Sequence, residues 1–212
     1  MIQIKRFIFN TFQVNTYLLF DETRQCLLVD AACYEPEEKN ELTRFIEKQN
    51  LTLVRYINTH CHIDHVLGSG FIADSFNVFP EYHPSGEPFF LTVKEIALSF
   101  GYQFEGVPPA KGYLADGDEV SFGNSALKVL YTPGHAEGSI CLYSEKDGFV
   151  ITGDVLFKDT IGRTDLPSGD FGLLMQSIKT KLFTLPDETL VYPGHGPETT
   201  IGYEKINNPF IR

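Results

Sequence analysis

No stretch of this chain approaches the ~18 consecutive apolar residues that a membrane-spanning helix requires, so contact with a membrane is not expected. Its first residues, Met1-Ile-Gln-Ile-Lys-Arg-Phe-Ile-Phe, lack the apolar core and small-residue cleavage site of a secretory signal and read as a strand. Cysteine is scarce. Cys26, Cys33, Cys61 and Cys141 show no Cys-x-x-Cys spacing and no dense framework, which fits reduced core thiols in a cytoplasmic protein. Positive charge is also short: 17 Lys and Arg stand against 28 Asp and Glu, a net charge of -11. Nucleic-acid binding normally requires a basic stripe to neutralise phosphates, so no nucleic-acid partner is expected and a nuclease is disfavoured. Gly-x-Ser-x-Gly, P-loop and Gly-x-Gly-x-x-Gly motifs are all missing, which leaves serine nucleophiles and phosphate cradles without support.

Against these absences stands a concentration of histidine. Five of the six histidines fall in three short motifs. The densest is His60-Cys61-His62-Ile63-Asp64-His65; the others are Thr-Pro-Gly-His135 and Tyr-Pro-Gly-His195. Asp154, in Thr-Gly-Asp, completes a set of seven potential ligands. Histidine and aspartate are ordinary zinc and iron ligands, and packing alone does not call for such a cluster. If His60 and His62 face a metal from extended backbone, Cys61 points the other way and is structural. His83 lies outside the motifs and reads as an ordinary polar residue.

The 212 residues, 42% hydrophobic and 21% charged, suit one sizeable core and a single domain over residues 1–212. Strands are expected over Ile2–Phe9, Val14–Phe20 and Cys26–Asp30, and a helix from Pro36 to about Gln49, with Leu42, Phe45 and Ile46 on its apolar face. Further helices are expected over His65–Phe76, Ser85–Tyr102 and Phe171–Leu185, with a loop between residues 101 and 119. Four apolar runs each end in a small-residue turn that carries a ligand: Leu53 to Asn58 before His60, Leu127 to Tyr131 before His135, Phe149 to Ile151 before Asp154, and Leu190 to Tyr192 before His195. Layered α/β folds build their sites on loops just beyond strand ends. Strands followed by helices in both halves point to an αββα sandwich.

A His-x-His pair on extended backbone aims two imidazoles at one ion. Asp64 and His65 lie one turn further on, within reach of a second, and a carboxylate such as Asp154 has two oxygens with which to bridge. Two ions ~3.5–4 Å apart hold a hydroxide and polarise a carbonyl.

The motif Thr59-His60-Cys-His62-Ile-Asp64-His65, with His135, Asp154 and His195, resembles the hallmark of the metallo-β-lactamase-fold hydrolases. The likeness runs from Asn15-Thr-Tyr17 and Leu28-Val-Asp30 to Tyr192-Pro-Gly-His195. It implies a four-layer αββα sandwich in which His60, His62 and His135 hold one metal, Asp64, His65 and His195 the other, and Asp154 bridges. Within that superfamily the chain is most similar to the glyoxalase II-like, or hydroxyacylglutathione hydrolase-like, branch in its short form. Asp154 stands where the secreted zinc β-lactamases usually carry cysteine. Ile161-Gly-Arg163-Thr-Asp165-Leu-Pro is similar to a stretch of short glyoxalase II-like proteins and of persulfide dioxygenases. Arg163 either orients an anionic group of the substrate or pairs with Asp165. Only about 17 residues follow His195, so the helical region with which longer glyoxalase II enzymes help bind glutathione has no counterpart here.

The expectation is a cytoplasmic hydrolase with two Zn2+ per chain, acting on a small-molecule thioester such as S-2-hydroxyacylglutathione. A metal-bridging hydroxide attacks, and Asp64 orients it. The alternative is a persulfide dioxygenase with a single Fe2+ on His60, His135 and Asp154; a lactone or ester hydrolase, or a non-catalytic metal module, is the remaining choice. Oligomeric state leaves no trace in the sequence.

Overall fold

Strand β2 (Val14–Phe20) shows how the sequence is read into layers. Successive side chains of a strand point to opposite faces. Tyr17 and Leu19 enter one apolar cluster and Leu18, between them, enters another. The computed structural model describes residues 1–212 except Leu91, Glu105 and Arg212. The same partition, repeated in other strands, gives two sheets face to face with helices on both outer faces.

The first sheet runs β1 (Gln3–Phe9), β2, β3 (Gln25–Val29), β4 (Thr52–Ile57), β5 (Pro80–Tyr82), β6 (Gly112–Tyr113) in that spatial order. Its first three strands are antiparallel and the last four parallel. The second sheet is ordered β14 (Thr199–Thr200), β13 (Leu190–Pro193), β10 (Phe149–Gly153), β9 (Ile140–Ser144), β8 (Ser125–Tyr131), β7 (Glu119–Phe122). A short ribbon, β11 (Leu156–Phe157) with β12 (Thr160–Ile161), follows β10. Between the sheets lie Leu19, Leu27, Val29 and Ile57 from one side and Val129, Ile140, Leu142 and Ile151 from the other. Helices α1 (Pro36–Lys48) and α3 (Ser69–Phe76) cover the first sheet through Leu42, Ile46 and Ile72. Helices α6 (Phe171–Ser177) and α7 (Ile201–Asn207) cover the second through Leu174 and Ile201. This is the expected four-layer αββα sandwich.

Three helical expectations are corrected. The segment His65–Phe76 divides into α2 (Ile63–Val66) and α3, because the chain passes Gly68 hard against Cys33 and the Ala31 carbonyl, which accepts the Gly68 N–H at 2.7 Å. The segment Ser85–Tyr102 is a 3₁₀ turn (Pro84–Gly86), then α4 (Glu87–Phe90) and α5 (Val93–Ser99). Gly86 is pinned under Cys61, whose sulfur leaves no space for a Cβ. The segment Phe171–Leu185 begins as α6 and then widens over Ile178–Leu182, with Phe183 N–H donating to the Ile178 carbonyl in a π-type turn. Strand β6 also lies within the expected loop of residues 101–119, added to the sheet edge by backbone pairing that side-chain pattern does not announce. The third strand stops at Val29, and Asp30 turns to φ +56°.

This topology gathers the ligand-bearing turns. Strands β8 and β10 both run antiparallel to β9, and β13 is parallel to β10, so all three end at one edge. The first sheet is stitched to that edge by Ile140 N–H to the Thr59 carbonyl (2.8 Å) and Asn15 N–H to the Gly194 carbonyl (2.7 Å).

Candidate metal centre

All seven residues singled out by sequence converge at this edge. Their donor atoms fall into three overlapping groups, each within 4.8 Å: His60, His62, His135; His60, His65, Asp154; and Asp64, His65, His195. Within the first group, His135 Nε2 lies 3.0 Å from His62 Nδ1. In the last, His195 Nε2 lies 3.3 Å from both Asp64 Oδ2 and His65 Nε2. Asp154 stands between them: Oδ1 is 3.4 Å from His65 Nε2, while Oδ2 is 3.7 Å from His135 Nε2 and 3.5 Å from His195 Nε2. Gly194 makes this approach possible, since a Cβ there would run into Asp154 Oδ1 and sit 2.9 Å from the His65 ring.

Most of the imidazoles are held from behind. His135 Nδ1–H donates to the Arg163 carbonyl (2.8 Å) and His195 Nδ1–H to the Phe12 carbonyl (3.0 Å). A carbonyl cannot donate, so the tautomer follows and Nε2 presents its lone pair to the centre. Asp30 does the same for the histidine-rich loop. Its carboxylate accepts from Thr59 N–H and Thr59 Oγ1–H (both 2.7 Å) and from His65 Nδ1–H (2.9 Å). The Thr59 hydroxyl, its proton given to Asp30, lies 3.1 Å from His60 Nδ1 and accepts from it.

Two atoms of the inner faces are left without protein partners. His60 Nε2 and Asp154 Oδ1 are buried and make no hydrogen bond. A buried polar atom without a partner costs about 1–3 kcal/mol. Divalent cations at this position remove that penalty for both atoms, so the residues present fit a metal centre.

Protonation divides in the same way. Burial, with the neighbouring histidines, pushes His60 well below its ordinary value, and burial with His135 takes His62 down to about 4. Burial opposes charge on His65 and His195 too, but there carboxylates prevail: Asp154, Asp64 and Asp30 hold His65 well above its usual range, and Asp154 with Asp64 raises His195 to about 9. Burial would lift the Asp154 carboxyl, yet His65 and His195 keep it far below the ordinary carboxylate value.

Other residues fall outside the cluster. Cys61 packs its sulfur against Gly86 and belongs to none of the three donor groups. His83 stacks on Tyr131 at 4.1 Å and caps the Pro84–Gly86 turn. Arg163 forks its guanidinium onto Asp165 at 2.7 and 2.8 Å on the surface, lines the cavity beside the centre, and accepts from His135 with its backbone carbonyl. Sequence reasoning gave no role to Asp30, Thr59 or Phe12. A carboxylate directly after a strand that neighbours β4 is a signal for Asp30; a backbone carbonyl such as Phe12's leaves none.

The profile of the Metallo-beta-lactamase superfamily matches residues 9–195, all seven candidate ligands among them. The chain belongs to that superfamily. It is 36% identical over 204 residues to the probable metallo-hydrolase YqgX of Bacillus subtilis, covering 94% of this chain and 92% of YqgX. It is 34% identical over 204 residues to hydroxyacylglutathione hydrolase GloC of Haemophilus influenzae, covering 94% and 93%. Among solved structures, TTHA1623 in a di-iron-bound form superposes with a TM-score of 0.86 at 32% identity over 97% of this chain and 99% of that one. ETHE1 from Myxococcus xanthus gives 0.79 at 32% identity over 98% and 83%. The chain is thus a metallo-hydrolase of this superfamily, with a His/Asp cluster suited to divalent metal.

Proposed function

We propose that this protein is a cytoplasmic hydrolase of small-molecule thioesters that works with two zinc ions. The observation that carries the reading is Asp154, which stands between the two groups, with Oδ1 near His65 and Oδ2 near both His135 and His195, while its Oδ1 and the buried His60 Nε2 have no hydrogen-bond partner. His60, His62 and His135 would hold one ion and Asp64, His65 and His195 the other, with Asp154 shared. When bound, such ions supply Lewis acidity that makes water acidic near neutral pH and polarises a carbonyl.

The chain's own groups do the rest. Asp30, the Arg163 carbonyl and the Phe12 carbonyl fix the imidazole planes, so little reorganisation is needed on binding. Asp64, on the first turn of α2, faces His195 and would orient the attacking water. A thiolate leaves without a proton donor, which suits a site whose acidic side chains are committed carboxylates. The similarity to GloC over nearly the whole chain supports the thioester class.

Hydrolysis of S-lactoylglutathione and simple acyl thioesters, followed by loss of thioester absorbance, is the test. Zinc-loaded protein should turn over at least one of them, and His62→Ala should lose both turnover and metal. Full activity in metal-depleted His62→Ala protein rejects the reading.

A second reading, a persulfide dioxygenase with one Fe2+ on His60, His135 and Asp154, is favoured by the likeness to the ETHE1 structure. It leaves Asp64, His65 and His195 crowded together with no ion among them. One tightly held iron per chain with oxygen consumption on glutathione persulfide would establish it.

A further inference from the structure

The centre opens into a cavity of about 570 Å³. Away from the ligands its wall is mostly apolar, with Phe12, Phe89, Val93, Ile96 and Phe100 prominent and Thr92 among them. This apolar wall is fastened to the ligands themselves. Phe89 stands edge-on to His62 with ring centres 6.3 Å apart. Phe12 meets Phe100 edge-on at 5.5 Å, while its own carbonyl holds His195. At the mouth Ile96 and Phe100 remain 41% and 58% exposed, apolar surface presented to whatever enters.

Charge around the cavity is as informative. Apart from the histidines of the centre, Arg163 is the sole cationic side chain among the described residues that line it, and that guanidinium is forked onto Asp165. Glu137 adds a carboxylate to the lining. A glutathionyl group carries two carboxylates and an ammonium, and recognition of carboxylates calls for cationic forks or clustered N–H donors. An alkyl chain or aryl ring needs only apolar contact, which this wall supplies.

We propose that the cavity selects thioesters by an uncharged, apolar acyl group, alkyl or aryl, and does not read a glutathionyl carrier. The proposal rests on the thioester reading above. The reaction consumes one water: the C–S bond breaks, a C–O bond forms, and the products are a carboxylate, a thiol and a proton. The substrate supplier is accordingly a reaction that loads apolar acids onto a thiol.

Two ligand series test it. The first is binding of uncleavable S-alkyl thioethers of N-acetylcysteamine, butyl to decyl, to metal-loaded protein by calorimetry. Affinity should rise about fourfold per methylene until the cavity is full, the fold-change equivalent to ~0.8 kcal/mol. Phe89→Ala and Ile96→Ser should flatten that slope. The second is turnover of matched acyl thioesters on N-acetylcysteamine and on glutathione, for which kcat/KM should agree within about threefold, well under one unpaired polar contact. Affinity indifferent to chain length, or a preference above about tenfold for the glutathione carrier, overturns the proposal. The two readings fail separately. Thioethers that bind with the slope while no thioester is cleaved reject thioester hydrolysis and support the apolar pocket; thioesters cleaved without a slope reject the pocket and keep the hydrolase.

Discussion

Asp30 and His65 meet 2.9 Å apart behind the metal-facing side of the cluster, both fully buried. The carboxylate also takes both donors of Thr59, so one residue at the end of β3 fixes the loop that carries His60, His62, Asp64 and His65. A side chain that never reaches the centre thereby sets the geometry of four that do.

Asp30→Ala should therefore weaken metal binding by about 10–100-fold, the range for loss of a group that orients a ligating histidine. Competition against a chelator at fixed pH measures it. Asp30→Asn should keep part of the affinity, since an amide oxygen still accepts from His65 or Thr59. Equal affinity in wild type and Asp30→Ala would show that the loop holds itself.

Metal uptake should release protons. At pH 7 a His195 raised to about 9 is protonated in the metal-free protein, and an ion at its Nε2 must displace that proton. Apparent affinity then increases as pH is raised from 7 through 9. Calorimetry in buffers of different ionisation enthalpy reads the proton count directly; uptake with no release would place the ion away from His195.

Gly194→Ala should remove metal from the centre, because its Cβ would occupy space held by Asp154 Oδ1 and the His65 ring. Metal analysis should show fewer than wild-type ions per chain while far-UV circular dichroism stays close to native. Undiminished occupancy would mean that the β13 turn shifts freely.

Acid stability should carry the mark of Asp21, far from the centre. This buried carboxylate accepts from Thr23 N–H, Asn124 N–H and Ser125 Oγ–H at 2.8–3.0 Å, and so ties the β2–β3 turn to the β7–β8 turn. Burial would raise it, but hydrogen bonds from Thr23, Ser125 and Asn124 outweigh burial and lower it to about 2. Since the unfolded value is ~3.9, the stabilisation is whole above pH 4 and is lost as pH falls through 2. In urea unfolding Asp21→Asn should be less stable than wild type at pH 6, by about 1–3 kcal/mol, and the gap should narrow toward pH 2.

Leu42→Ala, which opens space between α1 and the first sheet, should cost about 2–5 kcal/mol in urea unfolding. A smaller loss would mean that Ile46 and Phe45 close over the gap.

What the sequence determined by itself is the set of candidate ligands and the layered fold. Metal ligation admits few residue types, and each ligand sits in a short turn after a strand, so His60, His62, Asp64, His65, His135, Asp154 and His195 could be chosen without knowing their distances. Alternation in strands such as β2 is equally local, which made the sandwich legible. Tertiary structure alone decided the rest. Asp154 faces two ligand groups only because β10 and β13 run parallel and Gly194 lets them close in. Gly68 meeting Cys33 broke a helix that periodicity had joined, since a contact between distant residues outweighs the small helix preferences of the chain between them. Arg163 spends its side chain on Asp165 and lends its carbonyl to His135, and a backbone group carries no signature in sequence. The apolar wall was hidden for the same kind of reason: Phe12, Phe89 and Phe100 are unremarkable among 18 phenylalanines until packing sets them beside the ligands.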